Sequence, residues 1–333
     1  MDNEYSIDFV ITWVDGSDPE WINKRNYYSG KRSYINAHQY RDWEFLPYWF
    51  RGVQKFAPWV RKVFFVTDGQ RPDWLIENDK LVLVDHKDFI PSQYLPTFNP
   101  HTIELNFHRI EGLSEHFVYF NDDMFLTDTV SPETFFVNGI PCDTAVLSAL
   151  APSVIGDYFA HTLCNNIALL NKYFDKKAVI SKHPTQWFNW KYGINGTLRT
   201  ILTFGASRYF TGLKNYHLPS SMEKKTYIKL WDLEYDLFDR TCETKFREAT
   251  DVNQYVFTWY NICQGHFVPR SPSVGQYYMV GKDDNDIINC ILKRKYKMIC
   301  INDNPGEFDF TLSKTRILEA FQSVFPQKSA FEA

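Results

Sequence analysis

The sequence predicts an α/β fold with a largely parallel sheet, followed by a looser and mainly helical half. Three observations predict it. Short, apolar, β-favouring runs recur in the first part of the chain: Ile7 to Val14, Val63 to Val66, Leu81 to Val84 and Phe117 to Phe120. Helical patterns separate several of them. The runs are apolar throughout rather than alternating, as expected of strands covered on both faces.

Each element has a local reason. Ile7 to Val14 is a continuous β-branched run, the pattern of a buried strand. From Arg41 to Ala57, apolar residues at Phe45, Trp49, Val53 and Phe56 fall near helical spacing, and Pro58 stops the pattern. Pro47 fits the first turn of a helix, so the helix is expected to begin there. Pro100 to Leu113 reads as a helix with Ile103, Phe107 and Ile110 as its apolar stripe. Beyond residue 130 the alternation fades. Asp157 to Lys177 and Thr226 to Thr250 look helical, and Trp187, Trp190 and Tyr192 cluster among Asn and Gly. The expected division is an α/β core over 1–140, a helical insertion or lid over 141–280 and a return to the core over 281–333, all in one integrated domain. The last dozen residues, Gln322 to Ala333, are expected to fray.

The ends of the strands carry the chemistry. They deliver Asp15-Gly16, Asp68-Gly69, Asp85-His86 and Asn121-Asp122-Asp123. Ligands bind beyond the carboxyl ends of strands in open α/β sheets, so four acidic ends on one edge point to a site there. Asp-Gly alone makes tight turns and needs no further explanation. Asp122-Asp123 has no following glycine and is not explained that way. Upstream, His101, Glu104 and His108 fall at i, i+3 and i+7, on one side of the expected helix. A solvated outer face accounts for that spacing about as well as a site does.

Two roles suit the carboxylate pair. It could bind a divalent cation, because Mg²⁺ takes hard oxygen ligands together with substrate phosphates. Alternatively one Asp could act as a general base. Adjacent residues on a strand face opposite ways, so the two are not expected to share one task. Asp283-Asp284-Asn285-Asp286 lacks the glycine and glutamate of a calcium-binding loop and reads as a solvated acidic loop. His217 and Arg247 have structural defaults: a satisfied histidine and a surface helix residue.

Bulk properties narrow the class. The chain has 333 residues and net charge −4, with 44% hydrophobic and 17% aromatic residues. An isoelectric point near 6.1 argues against nucleic acid as a partner. The six cysteines form no C-x-x-C pair, which argues against a zinc site or disulfide scaffold. The acidic start Met1-Asp2-Asn3-Glu4 is unlike a secretory signal, and the Ala145 to Gly156 run is too short for a membrane span. The expected location is the cytoplasm, with contact to a membrane only through a partner. No phosphate-binding P-loop, H-E-x-x-H or G-x-S-x-G motif occurs.

Several blocks together resemble the Stealth family of sugar-phosphate transferases. Asp8 to Pro19 is similar to its first conserved region. Ala57 to Lys62 and Val66 to Gln70 resemble the second, continued by Leu95 to Asn99, Glu104, His108 to Ile110 and Tyr119 to Phe125. His217-Leu218-Pro219 with Phe246-Arg247 is similar to the third, and Ile299 to Asn304 to the fourth. The chain departs from the family pattern at Trp43, Pro47 and Ser220-Ser221.

The resemblance implies a Rossmann-like core akin to nucleotide-sugar transferases. It also implies a UDP-sugar donor, Mg²⁺ or Mn²⁺, and transfer of sugar-1-phosphate to an oligosaccharide or lipid-linked glycan. By motif match it places Glu104, Asp123, His217 and Arg247 at catalytic positions. Trp13, Asp15, Gly16, Asp68 and Gly69 would line the nucleotide side. Asp122, Asp123 and Asp303 would supply metal ligands. The alternatives are an ordinary glycosyltransferase that releases UDP and a non-catalytic glycan-binding module built on the aromatic residues.

Overall fold

The computed structural model describes residues 5–30, 41–152 and 157–333. The acidic start Met1 to Glu4 and the end of the Ala145 to Gly156 run lie outside them. The chain opens with β1 (Ile7–Thr12), then α1 (Pro19–Ser29), α2 (Leu46–Phe56), β2 (Val63–Thr67), β3 (Leu81–Asp85) and the short α3 (His86–Phe89). α4 (Pro100–Leu105), β4 (His116–Phe120) and β5 (Met124–Leu126) follow, then a small hairpin of β6 (Phe136–Val137) and β7 (Ile140–Asp143). The helical part comprises α5 (Tyr158–Tyr173), α6 (Lys176–Lys182), α7 (Pro184–Trp187) and α8 (Gly193–Ala206). β8 (Ser220–Glu223) is followed by α9 (Lys224–Leu233), α10 (Tyr235–Glu243), α11 (Tyr255–Gln264) and β9 (Val268–Pro269). β10 (Gly275–Met279), α12 (Asp284–Lys293), β11 (Met298–Asn302) and α13 (Phe310–Val324) complete the chain.

The main sheet has the order β3-β2-β1-β4-β8. Its first four strands are parallel, with Phe9 opposite Val63 and Val118 and with Phe65 opposite Leu83. β8 runs antiparallel beside β4, Tyr119 opposite Ser220. A 3-2-1-4 order of parallel strands is the arrangement of a Rossmann-like half, as expected. β1, β2 and β4 are buried on both faces because alternate residues feed two cores, whereas the edge strand β3 leaves Leu83 exposed, so the expectation of full cover fails there. Val10, Phe64, Val66, Phe117 and Tyr119 join the core that includes Leu163, Tyr227 and Phe257 of α5, α9 and α11. Phe9, Ile11, Phe65, Val118 and Phe120 join the core of Trp49, Ile287 and Phe321 from α2, α12 and α13. Each fully buried Phe contributes about 1.5–3 kcal/mol of transfer free energy.

Several expectations are corrected. The helix at Pro100 ends at Leu105 and gives way to a single 3₁₀ turn over Phe107–Arg109, so the i+7 relation of His108 to His101 is lost. Asp122 and Asp123 are not on the strand. They form the turn Asn121–Met124, closed by Met124 N–H donating to Asn121 O at 3.1 Å. Arg247 lies in a loop after α10, not in a helix. The C-terminus does not fray: Glu332 pairs with Arg51 at 2.6 Å and bridges to Leu75. The acidic run at Asp283 opens α12, where Asp283 and Asp284 accept from the amides of Met279 and Gly281.

Candidate active site

In a parallel sheet all carboxyl ends leave by one edge. Asp15, Asp68, Asp85 and Asp122-Asp123 therefore follow β1 to β4 onto a single rim. Three of these positions are engaged in local structure. Asp15 Oδ1 accepts from the amide and hydroxyl of Ser17, and Gln70 joins its backbone to the loop after β2. Asp68 accepts from Lys24 at 2.7 Å. Asp85 caps α3. Gly69 sits at φ +75°, and a Cβ there would stand 3.2 Å from Asp85 Oδ2, so glycine fits both the turn and the space. Trp13 lies half-buried beside this rim with one face stacked on Phe65.

The Asn121–Met124 turn is different. β8 runs antiparallel to β4, so the segment just before β8 reaches the same rim and brings His217 with it. His217 Nε2 stands 3.6 Å from Asp123 Oδ2. Its backbone takes the left-handed conformation, φ +48°, held by the amide donating to Asn215 Oδ1 at 2.8 Å. Its Nδ1 is hydrogen-bonded to Tyr255 Oη at 2.8 Å, which fixes the ring. Burial pushes the Tyr255 hydroxyl far up, so it stays protonated. From the other side β11 pairs antiparallel with β5, Cys300 opposite Met124. The Cys300 thiol, pushed well up by burial first and by Asp123 second, donates to Asp123 Oδ2 at 3.2 Å. Asp122 is exposed on the turn, and crowding by the surrounding protein first, with the Asp123 charge second, pushes its carboxyl up.

Glu104 lies deeper. It is almost fully buried on α4, and Tyr119 Oη donates to its Oε1 at 3.1 Å. Thr12 at the end of β1 shares a hydrogen bond with the same hydroxyl. Burial raises the Glu104 carboxyl, opposed by the positive fields of His101 and Arg247 and, more weakly, His217. Arg247 and His217 thus each act on Glu104 electrostatically. Arg247 itself is exposed, and among the described residues no hydrogen bond or ion pair ties down its guanidinium. Its loop is fixed instead by neighbours. Asp251, fully buried, is hydrogen-bonded to His101 Nδ1 at 3.1 Å and accepts from Asn99 and from the Glu248 amide. Phe246 stacks on Phe98 at 5.4 Å. A held loop presenting a loose guanidinium is suited to gripping an anion. His108 turns away from this group, against Tyr227 and Trp231.

Ligand atoms of Asp123, His217 and Cys300 lie within 4.8 Å of one another. An O/N/S set is softer than Mg²⁺ prefers. Hard donors are present on the same turn: Asp123 Oδ1 and Asn121 Oδ1 are buried and have no hydrogen-bond partner. Those oxygens fit Mg²⁺ or Mn²⁺, and the Cys300 thiol does not. Asp303 follows β11 but stands apart from the group, with its carboxylate 3.6 Å from Arg41.

Sequence reasoning missed Tyr255, Asp251 and the site role of Cys300. Tyr255 and Asp251 carry no local signal. Cys300 sat in the fourth resembling block and was read only as one unpaired cysteine.

A Rossmann-like parallel sheet with carboxylates, an imidazole and a guanidinium gathered at its carboxyl rim is the architecture of an α/β enzyme. The chain matches the models of Stealth protein conserved region 1 over residues 5–33 and conserved region 2 over residues 39–142. It is 38% identical to the capsular polysaccharide phosphotransferase WcwK of Streptococcus pneumoniae, covering all of this chain and 99% of that protein. It is 43% identical to the exopolysaccharide phosphotransferase cps2G of Lactiplantibacillus plantarum, covering 98% and 96%. The receptor polysaccharide phosphotransferase WefC of Streptococcus gordonii is 38% identical, covering 98% of each. The chain belongs to the Stealth family and is a phosphotransferase.

Proposed function

We propose that the protein transfers sugar-1-phosphate from a UDP-sugar to a hydroxyl of a growing cell-surface polysaccharide, acting in the cytoplasm. The acceptor oxygen bonds to the phosphorus that carries the sugar. The bond from that phosphorus to the bridging oxygen breaks, UMP departs, and a phosphodiester remains. Phosphoryl transfer asks a protein mainly for positioning and charge neutralisation. The observation that carries this reading is the convergence of Glu104, Asp123, His217 and Arg247 around one rim, in a chain similar end to end to polysaccharide phosphotransferases.

In this reading the acceptor proton passes to His217 Nε2, the ring nitrogen that faces Asp123 while Tyr255 holds the other. The Asp123 carboxylate stabilises the imidazolium that forms. Arg247 binds the diphosphate oxygens as a planar fork. Glu104, fixed by Tyr119, places a buried acid within the field of Arg247 and His217. Asp123 and Asn121 would hold Mg²⁺ or Mn²⁺ through their unpartnered oxygens, with Asp122 on the same turn, and the ion would supply charge neutralisation of the diphosphate. Trp13, Asp15, Gly16, Asp68 and Gly69 form the uridine side of the rim. The acceptor is an oligosaccharide or lipid-linked glycan.

The test is incubation with a panel of UDP-sugars and an oligosaccharide acceptor, followed by ³¹P NMR and nucleotide analysis. A new phosphodiester with UMP supports the proposal. Release of UDP instead makes the protein an ordinary glycosyltransferase. Glycan binding with no donor turnover at all makes it a binding module.

A further inference from the structure

Helix α8 is turned the wrong way for a globular protein. Its inward face is made of Gly196 and Thr200, both buried. Gly196 is pressed against Val146 and Tyr192, and Thr200 Oγ1 accepts from the Leu147 amide at 3.2 Å. Its outward face carries Ile194, Leu198, Ile201 and Leu202, spaced i, i+4, i+7 and i+8 and so on one side. Ile194 is 85% exposed and Leu202 66%. Trp190, 84% exposed, precedes the helix, and the exposed Tyr209 follows it. An amphipathic helix normally buries such a stripe.

The surrounding charge is equally one-sided. From residue 176 to 222 there is no Asp or Glu, while Lys176, Lys177, Lys182, Lys191, Arg199, Arg208 and Lys214 all occur there, in a chain of net charge −4. Lys176 is turned inward and caps the carboxyl end of α8 through the carbonyls of Thr203, Phe204 and Ser207. Lys191 is held by Pro269 O. Lys177, Lys182, Arg199, Arg208 and Lys214 are exposed. Asp175, the carboxylate just before this stretch in the sequence, caps α6, and Asp143, near Tyr192, is turned inward from the surface.

We propose that α8 docks the protein directly on an anionic lipid bilayer, lying in the headgroup plane with Ile194, Leu198, Ile201 and Leu202 among the acyl chains. An apolar stripe, a cationic surround and rings at both helix ends are the features that favour the interface of a bilayer. Anionic headgroups complement the exposed lysines and arginines. A second copy of the chain suits the face less well, because pairing two such faces brings like charges together. The inference is independent of the reaction assigned to the rim, and its readout is lipid binding.

The full-length protein is sedimented with vesicles of phosphatidylcholine alone and of phosphatidylcholine mixed with phosphatidylglycerol. The wild type should bind the anionic vesicles roughly tenfold or more tightly than the neutral ones and should be released by salt. Leu198→Glu with Leu202→Glu should weaken binding by about tenfold or more, as should Arg199→Glu with Arg208→Glu. Because these side chains are exposed, thermal melting should be unchanged. Should the glutamate pair impair folding, Leu198→Ser with Leu202→Ser replaces it, and the wild-type lipid and salt dependence stands on its own. Failure of the wild type to bind anionic vesicles overturns the proposal, as does equal binding by a folded Leu198/Leu202 variant. So does a dimer in solution that the Leu198/Leu202 variant dissolves, which would assign the face to a second copy.

Discussion

Replacing His217 by Ala removes the nitrogen proposed to accept the acceptor proton. The structure permits a sharp separation of chemistry from folding. The His217 and Asp123 side chains are 23% and 22% exposed, and their 3.6 Å separation is longer than a hydrogen bond. A partly exposed pair of this kind contributes at most about 1 kcal/mol to stability. Alanine at φ +48° carries the same Cβ as histidine, so the exchange adds no backbone strain. The lost Tyr255 hydrogen bond costs about another 1 kcal/mol. Against this, general-base help is worth about 10²–10⁴-fold in rate, or about 3–5 kcal/mol of barrier. His217→Ala and Asp123→Asn should each lower kcat by that factor and move the melting temperature by only a few degrees. The assay is UMP release under saturating donor, paired with a circular-dichroism melt. Near wild-type turnover in both variants refutes the assignment. A fall in activity that tracks a fall in melting temperature refutes it equally, because the residues would then be structural.

Other consequences can be checked separately. Tyr255→Phe should lower kcat about tenfold with KM little changed, since it frees the ring without touching substrate; steady-state kinetics on both constants decide this. Chelation should abolish turnover, Mg²⁺ or Mn²⁺ should restore it, and Asp122→Asn should raise the cation concentration needed, as read by a metal titration of activity. Arg61→Ala should destabilise the fold by about 2 kcal/mol in urea unfolding, because Asp8 is fully buried and loses its bidentate partner; the exposure of Arg61 keeps the cost below that of a wholly buried pair. His86 and His108 are pushed down by burial to about 4 and about 3. Unfolding lets each protonate near its ordinary value, so stability is full above about pH 6.5 and falls as pH drops below it, by up to about 1.4 kcal/mol per pH unit per histidine. His108→Phe should flatten that slope in melts taken between pH 7 and pH 4 (roughly the window of both shifts), and an unchanged slope would rule out His108 as a source.

Particular elements show what kind of information each stage carries. The apolar runs at Ile7, Val63, Leu81 and Phe117 became strands of one sheet because β-branched and aromatic runs suit a covered sheet, and even β3, at the edge with Leu83 exposed, pairs along its whole length with β2. Proline at the second position of α2 marked that helix's start to within a residue. The helix from Pro100 was overextended because Ile103, Phe107 and Ile110 keep helical spacing across a turn that tightens to 3₁₀ after Leu105. The acidic turn after β4 was placed on the strand because no glycine marks the turn, and Met124 N–H closes it without one. Arg247 was placed on a helix by its charged neighbours, yet the buried Asp251, invisible as a local pattern, holds that segment as a loop.

By itself, the sequence determined the parallel core and therefore the edge at which its acidic strand ends emerge. That follows from short-range physics: the period of apolar residues dictates which segments bury both faces, and parallel strands must all end on the same side. Only the tertiary structure decided which groups meet there. His217 arrives because β8 runs antiparallel to β4, and Cys300 reaches Asp123 across 177 residues because β11 pairs with β5. Such meetings depend on which edges and faces pack together, a property of surfaces distant in sequence, and no local spacing encodes it.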